Sequence, residues 1–170
     1  MSTPMPGDPL AVTESRVGVA DSRLLRGSGI LSTHGLGSCI ALAIYDAETR
    51  CAVLAHILLP CEDRAGPVAR PARSAVHAVP LLLRKLRSAG AGRRLVAKMA
   101  GGASMFGPLL LMGGVNMGER NIKATRRALQ DAGVLLVAED VGGDYGRSVY
   151  FDVSTGTMLV RSLKRGDRTL

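Results

Sequence analysis

Cys39 and His56 are the residues of this 170-residue chain whose types and spacing point most directly to chemistry. A thiol becomes a strong nucleophile when a base can take its proton, and an imidazole is the common base. Cys39 closes the run Thr33-His34-Gly35-Leu36-Gly37-Ser38-Cys39, and His56 follows seventeen residues later in Ala55-His56-Ile57-Leu58-Leu59-Pro60. Between them lie two apolar runs, 40–45 and 51–54, split by the polar Asp46-Ala47-Glu48-Thr49. That pattern predicts an antiparallel hairpin in which Tyr45 faces Arg50. In the same register Cys39 faces His56, on one side of the sheet, with Cβ atoms about 4.5–5.5 Å apart. The chemistry would be acyl transfer, with His56 lowering the thiol pKa and protonating the leaving group.

The glycines before Cys39 add to this reading. Gly35 and Gly37 allow backbone N–H groups to turn toward a ligand, which makes Gly35, Gly37 and Ser38 a candidate substrate and oxyanion loop. A lone cysteine in apolar surroundings is more often a small buried hydrophobe, and His56 alone also reads as a core histidine bonded to a carbonyl. The loop and the opposed imidazole together favour catalysis. Thr33 could orient His56 as the third member of a triad, although its spacing equally suits a β-branched strand residue. His34 is a competing base and Ser38 a competing nucleophile, but in extended chain they alternate away from Thr33 and Cys39. Cys51, placed opposite Ile44, reads as packing. Cys61 sits in a loop and His77 on a helix surface. Gly35 to Ile40 is no dinucleotide fingerprint, because Ile40 stands at the third glycine position. Gly101-Gly102 and Gly113-Gly114 lack a Walker lysine.

The elements that must carry these residues follow from periodicity and breakers. Residues 1–15, rich in Pro, Gly, Ser and Thr, read as a flexible tail, 16–163 as one catalytic domain and 164–170 as a frayed end. Strands are expected near 16–20, 29–33, 95–99 and 134–137, with a second hairpin at 148–153 and 157–160. Residues 60–71 read as an exposed loop. A helix is expected over 72–89, with Val76, Val79, Leu83 and Leu86 on one face. Pro80 predicts a kink there or a later start. Asn116-Met117-Gly118-Glu119 has capping-box spacing and opens a helix to about Ala132, with Ile122, Thr125 and Leu129 inward. Hairpins with two helices between them predict α+β with antiparallel or mixed sheets rather than a doubly wound fold.

Composition excludes several functions. Net charge is +8, from 22 Lys and Arg against 14 Asp and Glu, which fits an Arg-rich surface or an acidic partner. Aromatics are only 3%, which argues against a base-stacking nucleic-acid binder. Three cysteines give no disulfide framework, and no zinc-ligand spacing is present. No apolar stretch is long enough to cross a bilayer and no secretory signal is visible, so a cytoplasmic protein is expected.

Several motifs in order carry a family resemblance. They are Thr33 to Cys39, Ala55 to Pro60, Ala97-Lys98-Met99-Ala100-Gly101-Gly102-Ala103, Gly118-Glu119-Arg120-Asn121, and Asp140-Val141-Gly142-Gly143-Asp144-Tyr145-Gly146-Arg147. With these the chain resembles the chemoreceptor glutamine deamidase CheD family, from about Val17 to Arg161. The resemblance implies an α+β fold with a β-sandwich core flanked by helices, similar to the catalytic domain of deamidating cytotoxic necrotizing factors. It implies a cysteine hydrolase with Cys39 as nucleophile, His56 as base and Thr33 as third member, needing no cofactor or metal. The implied substrates are glutamines on the cytoplasmic helices of methyl-accepting chemotaxis receptors, and a CheC-type phosphatase is an implied partner. Two positions depart from the family pattern: Met99-Ala100 where a Phe is expected beside the glycines, and His77 where an acid is common. The alternative is a non-catalytic chemotaxis adaptor that docks on receptors or on CheC.

Overall fold

The two runs around the polar turn are apolar at nearly every position, which suits strands covered on both faces. They sit at the centre of the molecule. A computed structural model describes residues 12–61, 69–105, 107 and 114–170. In chain order the strands are β1 (Glu14–Arg16), β2 (Ser22–Arg26), β3 (Ile30–Leu36), β4 (Ile40–Asp46) and β5 (Cys51–Ile57), then β6 (Leu95–Gly101), β7 (Leu135–Val141), β8 (Arg147–Asp152), β9 (Thr157–Ser162) and β10 (Gly166–Thr169). Helix α1 (Ala75–Ser88) lies between β5 and β6, and α2 (Met117–Asp131) between β6 and β7. Among the described residues the strands form two five-stranded sheets, ordered β1-β3-β8-β9-β10 and β2-β5-β4-β6-β7. Each is mixed, because β1 runs parallel to β3 and β6 parallel to β7.

Strand alternation divides the core in two. Ile40, Leu42, Ile44, Val53 and Ile57 point to the helices and pack with Val79, Leu82, Leu86, Ile122 and Leu129. Ala41, Ala43, Ala52 and Leu54 point the other way, against Leu31, Leu36, Val149, Phe151 and Met158 of the first sheet. The order is helices, sheet, sheet, an α+β sandwich with its helices on one side. At one end the sheets are joined by a buried ion pair. Arg147 on β8 donates to Asp140 Oδ1 on β7 from Nε at 2.9 Å and from Nη2 at 2.8 Å.

Several expectations need correction. Tyr45 faces Ala52 rather than Arg50, and Cys51 faces Asp46 rather than Ile44, so the hairpin register is displaced by two residues. The cause is local. Asp46 stays in the strand, and its carboxylate accepts from the N–H groups of Glu48 at 3.0 Å, Thr49 at 3.4 Å and Gly92 at 3.1 Å. The turn moves on to residues 47–50 and closes at Arg50, whose φ is +47°. An even displacement preserves the face of every side chain.

The first strand begins at Glu14, within the segment read as tail, while residues 1–11 lie outside the described residues. Strand β2 had no clear signal in Ser22-Arg23-Leu24-Leu25-Arg26, because its two leucines serve different cores, Leu24 facing the helices and Leu25 the other sheet. The end read as frayed forms β10 on β9. Leu170 exchanges backbone bonds with Met158, and Lys98 Nζ donates to Leu170 O at 2.9 Å. Exposed side chains hid this strand, since its order comes from backbone pairing. Helix α1 starts at Ala75, after a 3-10 turn at Pro71–Arg73, and runs through Pro80, which lies on its exposed face. Val76 is 51% exposed, off the buried face given by Ala75, Ala78, Val79, Leu82, Leu83 and Leu86. Part of the loop expected at 60–71, residues 62–68, lies outside the described residues. Asn116 caps α2 as expected, its side chain accepting from Glu119 N at 3.0 Å.

Candidate active site

Thr33 enters the space between the sheets because it shares the inward face of β3 with Leu31. Beyond it the pairing of β3 with β8 shifts between Thr33 and Leu36, and Gly35 takes a φ of +69°. This bulge turns the chain out of the sheet toward Cys39. The Thr33 hydroxyl is buried, donates to Val17 O at 2.8 Å and lies 2.8 Å from His56 Nδ1. A hydroxyl has one hydrogen, and a carbonyl can only accept. The proton therefore goes to Val17, and Thr33 Oγ1 accepts from Nδ1–H of His56. That fixes the imidazole tautomer, with the lone pair on Nε2.

His56 is held on its backbone side as well. Its N–H donates to Asp21 O at 3.1 Å, and its carbonyl accepts from Ala20 N at 2.9 Å. The ring is buried, and Nε2 has no hydrogen-bond partner among the described residues. Burial holds the imidazole pKa below its ordinary value, which favours the neutral ring. A neutral, oriented imidazole with a free Nε2 is equipped to accept a proton.

Cys39 is half-buried against the core between the sheets. Ala41, not Cys39, stands directly opposite His56. Cys39 lies two residues earlier on the same face, in the diagonal position, where antiparallel geometry gives about 7–8 Å and longer side chains still meet. No hydrogen bond joins the two side chains. Burial pushes the Cys39 thiol up, opposed in part by its own backbone N–H. The expectation that His56 depresses the thiol pKa is therefore corrected: burial dominates, and the resting pair is a thiol and a neutral imidazole.

The loop carrying Cys39 is tied plane by plane. Gly37 O accepts from Ala103 N, Ser38 O from Asn121 Nδ2 and Cys39 O from Gly102 N, each at 2.8 Å. Among the described residues, Gly37, Ser38 and Cys39 donate no backbone hydrogen bond to another residue's carbonyl. Close approach requires Gly101, because a Cβ there would lie 2.1 Å from Cys39 O. Asn121 was not singled out as a site residue. Its signal was a polar side chain on the inward face of α2, beside Ile122 and Thr125.

The competing residues fall elsewhere. His34 packs edge-on to Tyr150 at 5.3 Å, on the opposite face of β3 from Thr33. Cys51 is buried and Cys61 exposed. His77 lies 2.8 Å from Ser74 Oγ at the start of α1. Among the described residues no three His, Cys, Asp or Glu side chains are grouped to hold a metal ion. No helix among them is long and apolar enough to cross a membrane.

The fold and site define an α+β sandwich protein with a thiol, an imidazole and a hydroxyl gathered on the facing surfaces of its two sheets. The family described as CheD chemotactic sensory transduction matches residues 58–162, and the chain belongs to the CheD family. It is 46% identical over 151 residues to "Probable chemoreceptor glutamine deamidase CheD 2" of Geobacter metallireducens, covering 88% of this chain and 93% of that protein. It is 40% identical over 154 residues to "Probable chemoreceptor glutamine deamidase CheD" of Pyrococcus horikoshii, with 90% and 94% covered. It is 39% identical over 153 residues to "Chemoreceptor glutamine deamidase CheD" of Thermotoga maritima, with 89% and 94% covered. The family match begins just after His56. The pairwise matches leave out fewer residues than precede Thr33, so they span the site.

Proposed function

We propose that this protein deamidates glutamine side chains of methyl-accepting chemotaxis receptors through Cys39, His56 and Thr33. The observation that carries this reading is the Thr33-oriented imidazole, its Nε2 free, on the sheet face that also bears Cys39. Membership of the CheD family, whose relatives carry deamidase names, supports the substrate.

The steps follow from the resting state. A substrate carboxamide enters against the 35–39 loop. His56 Nε2 takes the Cys39 proton as sulfur attacks the carboxamide carbon, so thiolate forms only during attack. N–H groups of Gly37, Ser38 and Cys39 receive the developing oxyanion. The imidazolium, steadied by Thr33 Oγ1, returns its proton to the departing ammonia and a thioester remains. His56 then activates water, the C–S bond breaks, and glutamate leaves with the thiol restored. No step in this sequence uses a metal or cofactor. A cytoplasmic site of action goes with this proposal, since the proposed substrates are cytoplasmic receptor helices, and a CheC-type phosphatase is the proposed second partner.

Cys39→Ala should abolish ammonia release from purified receptor while leaving the circular dichroism spectrum and melting curve unchanged. Activity retained in that variant would remove the mechanism. Receptor co-expressed with the wild-type protein should show glutamine-to-glutamate conversion by mass spectrometry. Binding without conversion would favour an adaptor role.

A further inference from the structure

One buried side chain outside the proposed triad touches both halves of the site. Asn121 is 0% exposed, and its Nδ2 donates to Ser38 O at 2.8 Å and to Leu58 O at 3.1 Å. Ser38 immediately precedes Cys39, and Leu58 lies two residues after His56. A side-chain amide has two N–H donors, and here each has a carbonyl. The flipped amide would set Oδ1 against two carbonyl oxygens, so the partners dictate its orientation.

We propose that Asn121 is a positioning residue for Cys39, holding the Ser38–Cys39 peptide plane so that the Cys39 N–H and thiol keep one orientation toward the reacting carboxamide. The inference rests on the deamidase reading of Cys39. A peptide unit is planar and trans, so its carbonyl and N–H point in opposite directions. Anchoring Ser38 O therefore sets the direction of the Cys39 N–H, which is both a proposed oxyanion donor and the group acting on the Cys39 sulfur. The planes before and after are anchored by backbone N–H groups of Ala103 and Gly102. The middle plane is anchored by a side chain, and that side chain also grips the end of the strand carrying His56. Packing brings α2 close enough to reach: a Cβ on Gly118 would lie 2.4 Å from Gly102 O.

The test compares Asn121→Ala with Leu129→Ala. Leu129 is a core residue of the same helix, 1% exposed, whose removal destabilises α2 without touching the loop. Two readouts are taken on the full chain: steady-state deamidation of purified receptor, and the rate of Cys39 alkylation by iodoacetamide, located by peptide mass spectrometry. For Asn121→Ala, kcat should fall about tenfold to a hundredfold with KM changed by less than about twofold, and the Cys39 alkylation rate should shift severalfold. Leu129→Ala should melt earlier yet leave kcat and alkylation near wild type. Wild-type values in folded Asn121→Ala, or parallel losses in both variants, would overturn the proposal. If Asn121→Ala does not fold, Asn121→Ser is measured in its place, and failure of both to fold would assign Asn121 to stability alone and overturn it too. The alkylation readout does not require a receptor. An inactive wild-type protein with a normal Asn121 effect on Cys39 would therefore count against the deamidase reading and not against this one.

Discussion

The direction of one hydrogen bond decides what His56 can do. Thr33 gives its only proton to Val17 O, so it must receive Nδ1–H, and the lone pair falls on Nε2, the base of the proposed mechanism. Thr33→Val removes both partners at once, leaving the Val17 carbonyl and Nδ1–H unpaired. It should lower kcat, by less than the roughly 10²–10⁴-fold loss expected of His56→Ala. Burial also sets the pH dependence. In the proposed mechanism the neutral imidazole is the working form, and its folded pKa lies below the ordinary value of about 6.5. The acid limb of kcat/KM should therefore fall below about pH 6.5. A limb at or above that value would show that another group is the base. Cys39 and His56 were singled out as candidates from residue type and context. The tautomer was not, because it depends on Val17, which arrives from the segment after β1.

At the scale of elements, the β4–β5 hairpin shows how far a pattern reaches. Alternation fixed which face each residue takes, and that part held: Cys39 and His56 share a side. Pairing along the ladder depended on Asp46, whose carboxylate binds Gly92 from the α1–β6 connection. No local pattern contains that contact. Burial works against ionisation of Asp46, but the N–H groups of Gly92, Thr49 and Glu48 outweigh it and hold the carboxyl below its ordinary range. The sign follows: this stabilisation is present above the unfolded pKa of about 4 and is lost as pH falls through the lower folded value. Asp46→Ala should cost about 1–3 kcal/mol in urea unfolding at neutral pH, with the difference from wild type shrinking in strong acid. An undiminished difference at low pH would contradict the assigned role.

Across the whole molecule, the site exists because two sheets meet face to face, and Arg147 with Asp140 joins them at one end. The Arg147 side chain is 0% exposed and that of Asp140 8%, so each is the other's principal compensation for lost hydration. The guanidinium also lies 4.0 Å from the Tyr145 ring. Arg147→Ala should destabilise the protein by about 3–5 kcal/mol, read from chemical denaturation, because it leaves a buried carboxylate with only two long contacts, the Tyr145 hydroxyl and the exposed Arg168, each at 3.4 Å. A loss under about 1 kcal/mol would mean that the pair is solvated in practice.

Composition and hydrophobic period were enough to identify an α+β chain and the helices at Ala75–Ser88 and Met117–Asp131, and the Gly-x-Gly-Ser-Cys loop singled out candidates for acyl chemistry. Each of those is encoded within a few neighbouring positions. The two-residue register, the strand at Ser22–Arg26, the His56 tautomer and the grip of Asn121 on Ser38 came from segments distant in the chain, and the strand at Gly166–Thr169 from backbone pairing that its exposed side chains do not report. Periodicity reports which face a side chain prefers. Only packing decides which other segment arrives at that face, and hydrogen bonds with one donor and one acceptor each then allow a single arrangement.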